Sequence, residues 1–216
     1  MRKLFRSFIL AFSLLFLLPT ALQAQLSGSY TIDANGTGTT NFTSFTAAVS
    51  ALSANGVNGP VVFNAAAGTY TEQLIVPAVT GTSTTNTITF QANPSNTSPA
   101  EITYSPTGST DNWTIHLNAT NNIIIKGLKI TTGGTTYGRL ITYTGSSDIK
   151  ILDNTMIGAA LGTSTSSFLA GFYYQSTSAY PSGTWEIKGN ELSNVSYGFY
   201  IYGNSATNLD TLRIED

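Results

Sequence analysis

The chain has 216 residues, of which 9% are charged, with no cysteine and a single histidine, His116. That inventory excludes a disulfide framework, thiol chemistry, a cysteine zinc site and a histidine-rich metal site, so no cofactor is expected. Charge is too sparse for a helical bundle, whereas 41% apolar residues, with 11 Phe and 11 Tyr, suffice for a core.

Met1 to Ala24 combines Arg2, Lys3 and Arg6 with an apolar run from Phe8 to Leu18, then Pro19 and Leu22-Gln23-Ala24. A basic start, a short apolar stretch and a small residue before the cut describe a secretory signal peptide, residues 1–24. The run is too short to span a bilayer comfortably, and no later stretch approaches 18 apolar residues, so no transmembrane span is expected after signal removal. No cysteine follows the cleavage region, which excludes a lipid anchor there. Without the signal, six basic residues face eleven acidic ones. A nucleic-acid binder needs a basic face, and this chain has none. The expectation is a mildly acidic protein, secreted or displayed at a bacterial cell surface.

Residues 25–60 read as an N-terminal cap. Phe42, Phe45, Val49 and Leu52 fall at helical spacing with Ala47, Ala48 and Ala51 between them, predicting a helix over about 42–54. Asn41 or Thr43 would cap it, and Asn55-Gly56 would stop it. From Pro60 onward the period becomes two. Val61 to Phe63, Thr69 to Val76, Thr87 to Gln91 and Ile102 to Tyr104 are short β-branched or aromatic runs between Gly, Asn, Pro, Ser and Thr, as strands and turns should be.

A repeat is the stronger signal. Ile125, Ile151, Ile187 and Ile214 sit in similar segments separated by 26, 36 and 27 residues. A second series opens at Gly138, Gly171 and Gly198, spaced 33 and 27, and Ile115 with Ile141 extends it backwards. Such self-similarity means a solenoid, propeller or array; tight Asn-Gly hairpins for a propeller and dominant Leu for a leucine-rich repeat are both missing. A parallel β-helix fits, with one coil per 26 residues or so and about six coils over 61–216. The 36-residue step carries a corner insertion, at Thr163 to Ser167 or at Tyr180 to Gly183. The four isoleucines would then stack as one inward ladder, with Ile130, Met156 and Leu192 as another, and Asn154 and Asn190 meeting at a corner.

The stretch from Phe42 through Gly-Pro-Val-Val-Phe to Gly68-Thr69-Tyr70-Thr71-Glu72-Gln73-Leu74-Ile75-Val76 resembles the N-terminal cap and first coil of the pectin-lyase-like superfamily. Within it the chain is similar to the large secreted bacterial β-helix repeat proteins. The resemblance implies an all-β, right-handed parallel β-helix with a short capping helix. It fixes no function, since that superfamily includes lyases, hydrolases, esterases, adhesins and phage spikes. Leu212 to Asp216 opens a repeat unit without completing it, which reads as a fragment of a longer, C-terminally truncated protein.

Chemistry is thinly represented. Asp148 with Asp153, and Glu186 with Glu191, are each five residues apart in one extended stretch, so neither makes the facing pair a glycosidase needs. The segments resembling Gln-Asp-Thr and Val-Asp-Phe-Ile-Phe-Gly that pectin esterases of the superfamily use are absent. Lys150, Glu186 and Arg213 hold one outward position in successive coils, which reads as a surface ladder of ion pairs. The tyrosines are the binding candidates. With Gly138, Gly171 and Gly198 taken as equivalent, Ile115, Ile141, Tyr174 and Ile201 form an inward column. Tyr173 and Tyr200 then form one outward column, and His116, Thr142, Gln175 and Tyr202 another. Tyr173, Tyr200 and Tyr202 on one solvent-facing strip would offer a flat platform on which sugars stack. The leading expectation is therefore a structural, adhesive or glycan-binding protein whose partner is a polysaccharide or cell-surface glycan. The second is a fragment of an extracellular polysaccharide lyase or glycoside hydrolase with its active site in coils beyond this segment.

Overall fold

The computed structural model describes residues 24–159, 164–176, 183–203 and 211–215. The signal-peptide assignment, Ala24 apart, lies outside these residues. The chain opens with β1 (Leu26–Ile32), β2 (Asn41–Phe42) and helix α1 (Phe45–Asn55). It then winds through β3 (Val57–Ala65), β4 (Gly68–Thr71) and β5 (Leu74–Val76), followed by β6 (Ile88–Ala92), β7 (Ala100–Tyr104) and β8 (Ile115–Asn118). Next come β9 (Asn121–Lys126), β10 (Lys129–Thr132) and β11 (Ile141–Thr144), then β12 (Ser147–Leu152), β13 (Thr155–Ile157) and β14 (Phe172–Ser176). The last strands are β15 (Thr184–Lys188), β16 (Glu191–Ser193), β17 (Phe199–Gly203) and β18 (Thr211–Glu215).

Every third strand from β3 onward pairs with its predecessor, which yields three sheets. Sheet A runs β2-β1-β3-β6-β9-β12-β15-β18, sheet B runs β4-β7-β10-β13-β16, and sheet C runs β5-β8-β11-β14-β17. All these pairings are parallel. A chain that visits three sheets in turn and returns one strand along has the layout of an all-β parallel solenoid, and parallel pairing rules out the antiparallel sandwich.

The columns form because each coil repeats the same alternation. Ile125, Ile151, Ile187 and Ile214 are direct partners across β9, β12, β15 and β18, as the spacing predicts. Ile102, Ile130, Met156 and Leu192 form the matching column in sheet B. With Phe63 and Phe90 stacked at 5.0 Å and 12°, these columns wall one continuous core as far as Ile187 and Leu192, whereas Ile214 in the last strand is 54% exposed. The corner insertion falls at two places. Sixteen residues separate Met156 from Phe172 where eleven separate Ile130 from Ile141; thirteen separate Phe172 from Trp185 where eight separate Ile141 from Ile149.

Helix α1 starts later than predicted. Phe42 is held in β2, opposite Ile32, so the helix begins at Phe45. Its cap is Ser44, whose Oγ accepts from the Ala47 N–H at 3.0 Å, and not Asn41 or Thr43. Asn41 is engaged elsewhere, accepting from Thr31 Oγ1 at 2.6 Å. Two further free N–H groups of the first turn are taken by Glu72, whose carboxylate accepts from Phe45 N at 3.1 Å and Thr46 N at 2.8 Å. The Tyr70 hydroxyl donates to the Ile32 and Ala66 carbonyls at 2.9 and 3.0 Å. The Gly68-x-Tyr70-x-Glu72 pattern thus ties the first coil to both β1 and α1.

In three successive coils, after β9, β12 and β15, the turn from sheet A to sheet B uses a left-handed residue: Gly127, Asp153 and Gly189, with φ of 64°, 54° and 62°. Asn154 and Asn190 follow it. The two meet at this corner as the spacing predicts, and both bond the neighbouring coil, while Asn190 Nδ2 also donates to the Lys188 carbonyl of its own coil at 3.0 Å. Asn154 Nδ2 donates to the Ile125 carbonyl at 3.0 Å, and its Oδ1 accepts from Leu128 N at 3.0 Å.

Candidate functional site

Sheet C and the loops that enter it carry the predicted tyrosines. Here the structure corrects the register. Ile141 pairs with Phe172, not Tyr174, so the predicted inward column divides into two. One is Leu74, Ile115, Ile141, Phe172 and Phe199. The other contains Val76, Leu117 and Tyr143, with Tyr174 stacked on Tyr143 at 4.9 Å and paired with Ile201. The slip arises in the loops. Gly138 N–H donates to the Phe168 carbonyl while Gly171 N–H donates to the Tyr197 carbonyl, so Gly138 and Gly171 are not equivalent. Gly171 and Gly198 are, and a Cβ at Gly171 would meet the Gly198 carbonyl and the Leu192 methyls at 3.0 Å.

In consequence the outward column of sheet C reads Ile75, His116, Thr142, Tyr173, Tyr200. Tyr173 and Tyr200 stack with centroids 5.4 Å apart and planes 6° apart. Tyr202 is in register with Gln175, as predicted, but in a different column from His116 and Thr142; the Tyr202 side chain lies outside the described residues.

The strip is not the solvent-facing platform that alternation alone suggests. Tyr173 is only 6% exposed. The guanidinium carbon of Arg139 lies 3.1 Å from its ring centroid, while Tyr200 stacks parallel to the same ring. A guanidinium cannot fit between two rings 5.4 Å apart, so the two neighbours occupy opposite faces of Tyr173. Burial holds the Tyr173 hydroxyl above the usual phenol range, against the opposing pull of Arg139. Burial also lowers the Arg139 guanidinium from its ordinary value.

Sequence reasoning passed over Arg139 and the loop aromatics, because no strand periodicity marks them. The Arg139 Nε–H donates to the Ser167 carbonyl at 3.0 Å, and its guanidinium carbon lies 5.3 Å from the Phe168 ring. Tyr137 packs on Phe168 at 5.2 Å, and Tyr197 meets Tyr200 edge-on at 5.5 Å. Phe168 and Tyr197 are each 37% exposed. Nearer β5, Trp113 lies 4.7 Å from His116, whose Nε2 is 3.1 Å from Thr144 Oγ1; burial lowers the His116 imidazole below its ordinary value.

The carboxylates are engaged elsewhere. Asp148 and Asp153 flank opposite ends of β12: Asp148 accepts from Thr184 N at 3.1 Å, and Asp153 lies 3.9 Å from Lys126. The Lys150, Glu186, Arg213 column is in register as predicted. Lys150 and Glu186 pair at 2.7 Å, while Arg213 turns to Glu215 on its own strand. No helix among the described residues is long and apolar enough to cross a membrane. No protein-family model, curated protein or solved structure matches the chain.

Proposed function

We propose that this is a right-handed parallel β-helix of the pectin-lyase-like kind, secreted or displayed at a bacterial cell surface, that acts by binding rather than catalysis. Its binding surface is the outer face of sheet C with the bordering loops, and its partner is a polysaccharide or cell-surface glycan. The right-handed sense follows the general preference of parallel crossovers.

One observation carries the reading. Among the described residues the exposed large apolar side chains are Ile75, Phe168, Tyr197, Leu212 and Ile214; the last two belong to β18, and the other three border or occupy the outer face of sheet C. Around Phe168 and Tyr197 lie Tyr137, Tyr173 and Tyr200, so apolar rings and phenol hydroxyls are concentrated on one side. Clustered aromatics mark binding surfaces, and ring faces with adjacent hydroxyls suit the C–H and O–H groups of sugars. The ring faces available for stacking are those of Phe168 and Tyr197, with Tyr173 packed beneath them.

A glycan array probed with the purified full chain and a Tyr197→Ala/Tyr200→Ala double variant tests this. Retention of particular glycans by the wild type, with signal reduced at least about tenfold in the variant, is the expected result for a multi-contact aromatic site. A wild type that retains nothing, or a variant that retains the same glycans equally, overturns it.

A further inference from the structure

Thr142 occupies the place in β11 that Tyr173 and Tyr200 occupy in the next two coils. A threonine has no ring to cover the face of Tyr173, so a tyrosine stack ending there would leave that face without a planar neighbour. Arg139 covers that face from the loop preceding β11. We infer that Arg139 is a positioning residue: its guanidinium closes the stack Arg139, Tyr173, Tyr200 and thereby fixes how Tyr200 and the neighbouring Tyr197 meet a ligand. This deepens the binding role proposed above, and its ligand-dependent part rests on that reading.

The placement is built. Arg139 is 7% exposed, and no carboxylate among the described residues lies within ion-pairing distance of it. A buried cation without a carboxylate needs other compensation, and here it has the Tyr173 and Phe168 rings and the Ser167 carbonyl. Its backbone is held as firmly as its head. The Arg139 N–H donates to Asn112 Oδ1 at 3.2 Å, and the Arg139 carbonyl accepts from Thr114 N at 2.9 Å. Asn112 Nδ2 donates onward to the Phe168 carbonyl at 3.0 Å. Three successive loops are therefore joined at one point. The next loop is tied in as well, since Ser196 N donates to the Leu169 carbonyl at 3.0 Å and the Tyr197 hydroxyl to the Thr165 carbonyl at 3.2 Å. The chain from Asn112 through Arg139 and Phe168 to Tyr197 sets where the exposed rings stand.

Thr142 supports the same account. It is 8% exposed, and its Oγ1 has no hydrogen-bond partner among the described residues. A buried hydroxyl left unpaired is unfavourable, so position 142 is not tuned for its own sake. A small residue there leaves room beside Tyr173 for the guanidinium.

The experiment uses the full chain with tyrosine rings isotopically labelled for NMR, in wild type, Arg139→Lys and Arg139→Met. In Arg139→Met the Tyr173 and Tyr200 ring resonances move, because the stack loses its planar cation. The Tyr173 phenol then titrates at a higher pH than in the wild type, because the neighbouring charge that opposed the effect of burial has gone. Arg139→Lys restores the titration more than the ring positions, since lysine keeps the charge but not the plane. Glycan affinity, measured alongside, falls about 2- to 30-fold in Arg139→Met, the range of one desolvated cation–π contact. Unmoved ring resonances and an unchanged phenol titration in both variants overturn the inference, whatever the glycan result. Moved resonances with a wild type that binds no glycan leave Arg139 as the organiser of the stack and remove the glycan reading alone. If Arg139→Met fails to fold, Arg139→Lys alone decides on the ring resonances.

Discussion

Asn190 accepts two hydrogen bonds from Asn154 through a single oxygen, from the backbone N–H at 3.0 Å and from the side-chain amide at 2.9 Å. Asn154 in turn reaches back to Ile125 and Leu128, so one pair of side chains joins three consecutive coils at the turn between sheets A and B.

Replacing Asn154 by leucine, the residue at the equivalent place in the preceding coil, removes both the donor to Ile125 and the acceptor for Leu128. Asn154 is 1% exposed, so water cannot substitute. The expected loss is about 2–4 kcal/mol of unfolding free energy, from buried groups left unpaired. Urea denaturation followed by far-UV circular dichroism measures it. A variant as stable as the wild type would show that the corner is held by its backbone alone.

The isoleucine columns predict an asymmetry between inward and outward positions on neighbouring coils. Ile151 is fully buried, whereas Ile124 points outward from β9 and is only partly covered. Ile151→Ala is expected to cost about 2–5 kcal/mol as a cavity in a packed core. Ile124→Ala is expected to cost less than about 1 kcal/mol. Equal midpoints for the two variants would contradict the assigned faces.

Glu72 couples the first coil to α1. Glu72→Ala strips the acceptor from Phe45 N and Thr46 N while leaving the Ser44 cap in place. The expected cost is about 1–2 kcal/mol, comparable to loss of a helix cap. Amide exchange should rise first in Phe45 and Thr46 and only weakly in β9 to β12. Uniform exchange across the chain would place the effect elsewhere.

Acid should weaken the outer face of sheet A. The hydrogen bond from Lys150 holds the Glu186 carboxyl below its ordinary value of 4.5. A carboxyl depressed in the folded state stabilises the fold above its unfolded value, and that contribution disappears as pH falls through the folded value. Both partners are partly exposed, so the pair is worth less than about 1 kcal/mol at neutral pH. Glu186→Gln should therefore be slightly less stable than wild type at pH 7 and indistinguishable from it at pH 3. A stability gap that persisted at pH 3 would assign the effect to packing.

The sequence announces the columns of sheets A and B because their strands recur with the same alternation, and Ile151 finds Ile125 and Ile187 by counting alone. Counting fails in sheet C. The loops before β11 and β14 differ in length, so Gly138 and Gly171 look alike without being aligned, and counting from them sets Tyr174 beside Ile141 instead of Tyr143. The outward direction of Tyr173 survived that slip because it is off by two residues, which preserves the face of a strand. Its exposure did not survive. What covers Tyr173 is Arg139, a loop residue that no period-two pattern can assign to a neighbouring coil. β1 carries no repeat signal for a related reason: it precedes the first repeat unit and has no upstream copy.

The hydrogen bonds between coils all point along the direction in which the coils succeed one another. Tension applied between the two ends would therefore load each ladder in turn, in series, and the rung set with the fewest bonds would part before the others felt their limit. Peeling away one 26-residue turn, the step from Ile125 to Ile151, would release about 90 Å of slack chain. Under force the molecule would behave as a row of breakable clasps, extending in steps and absorbing work at each one.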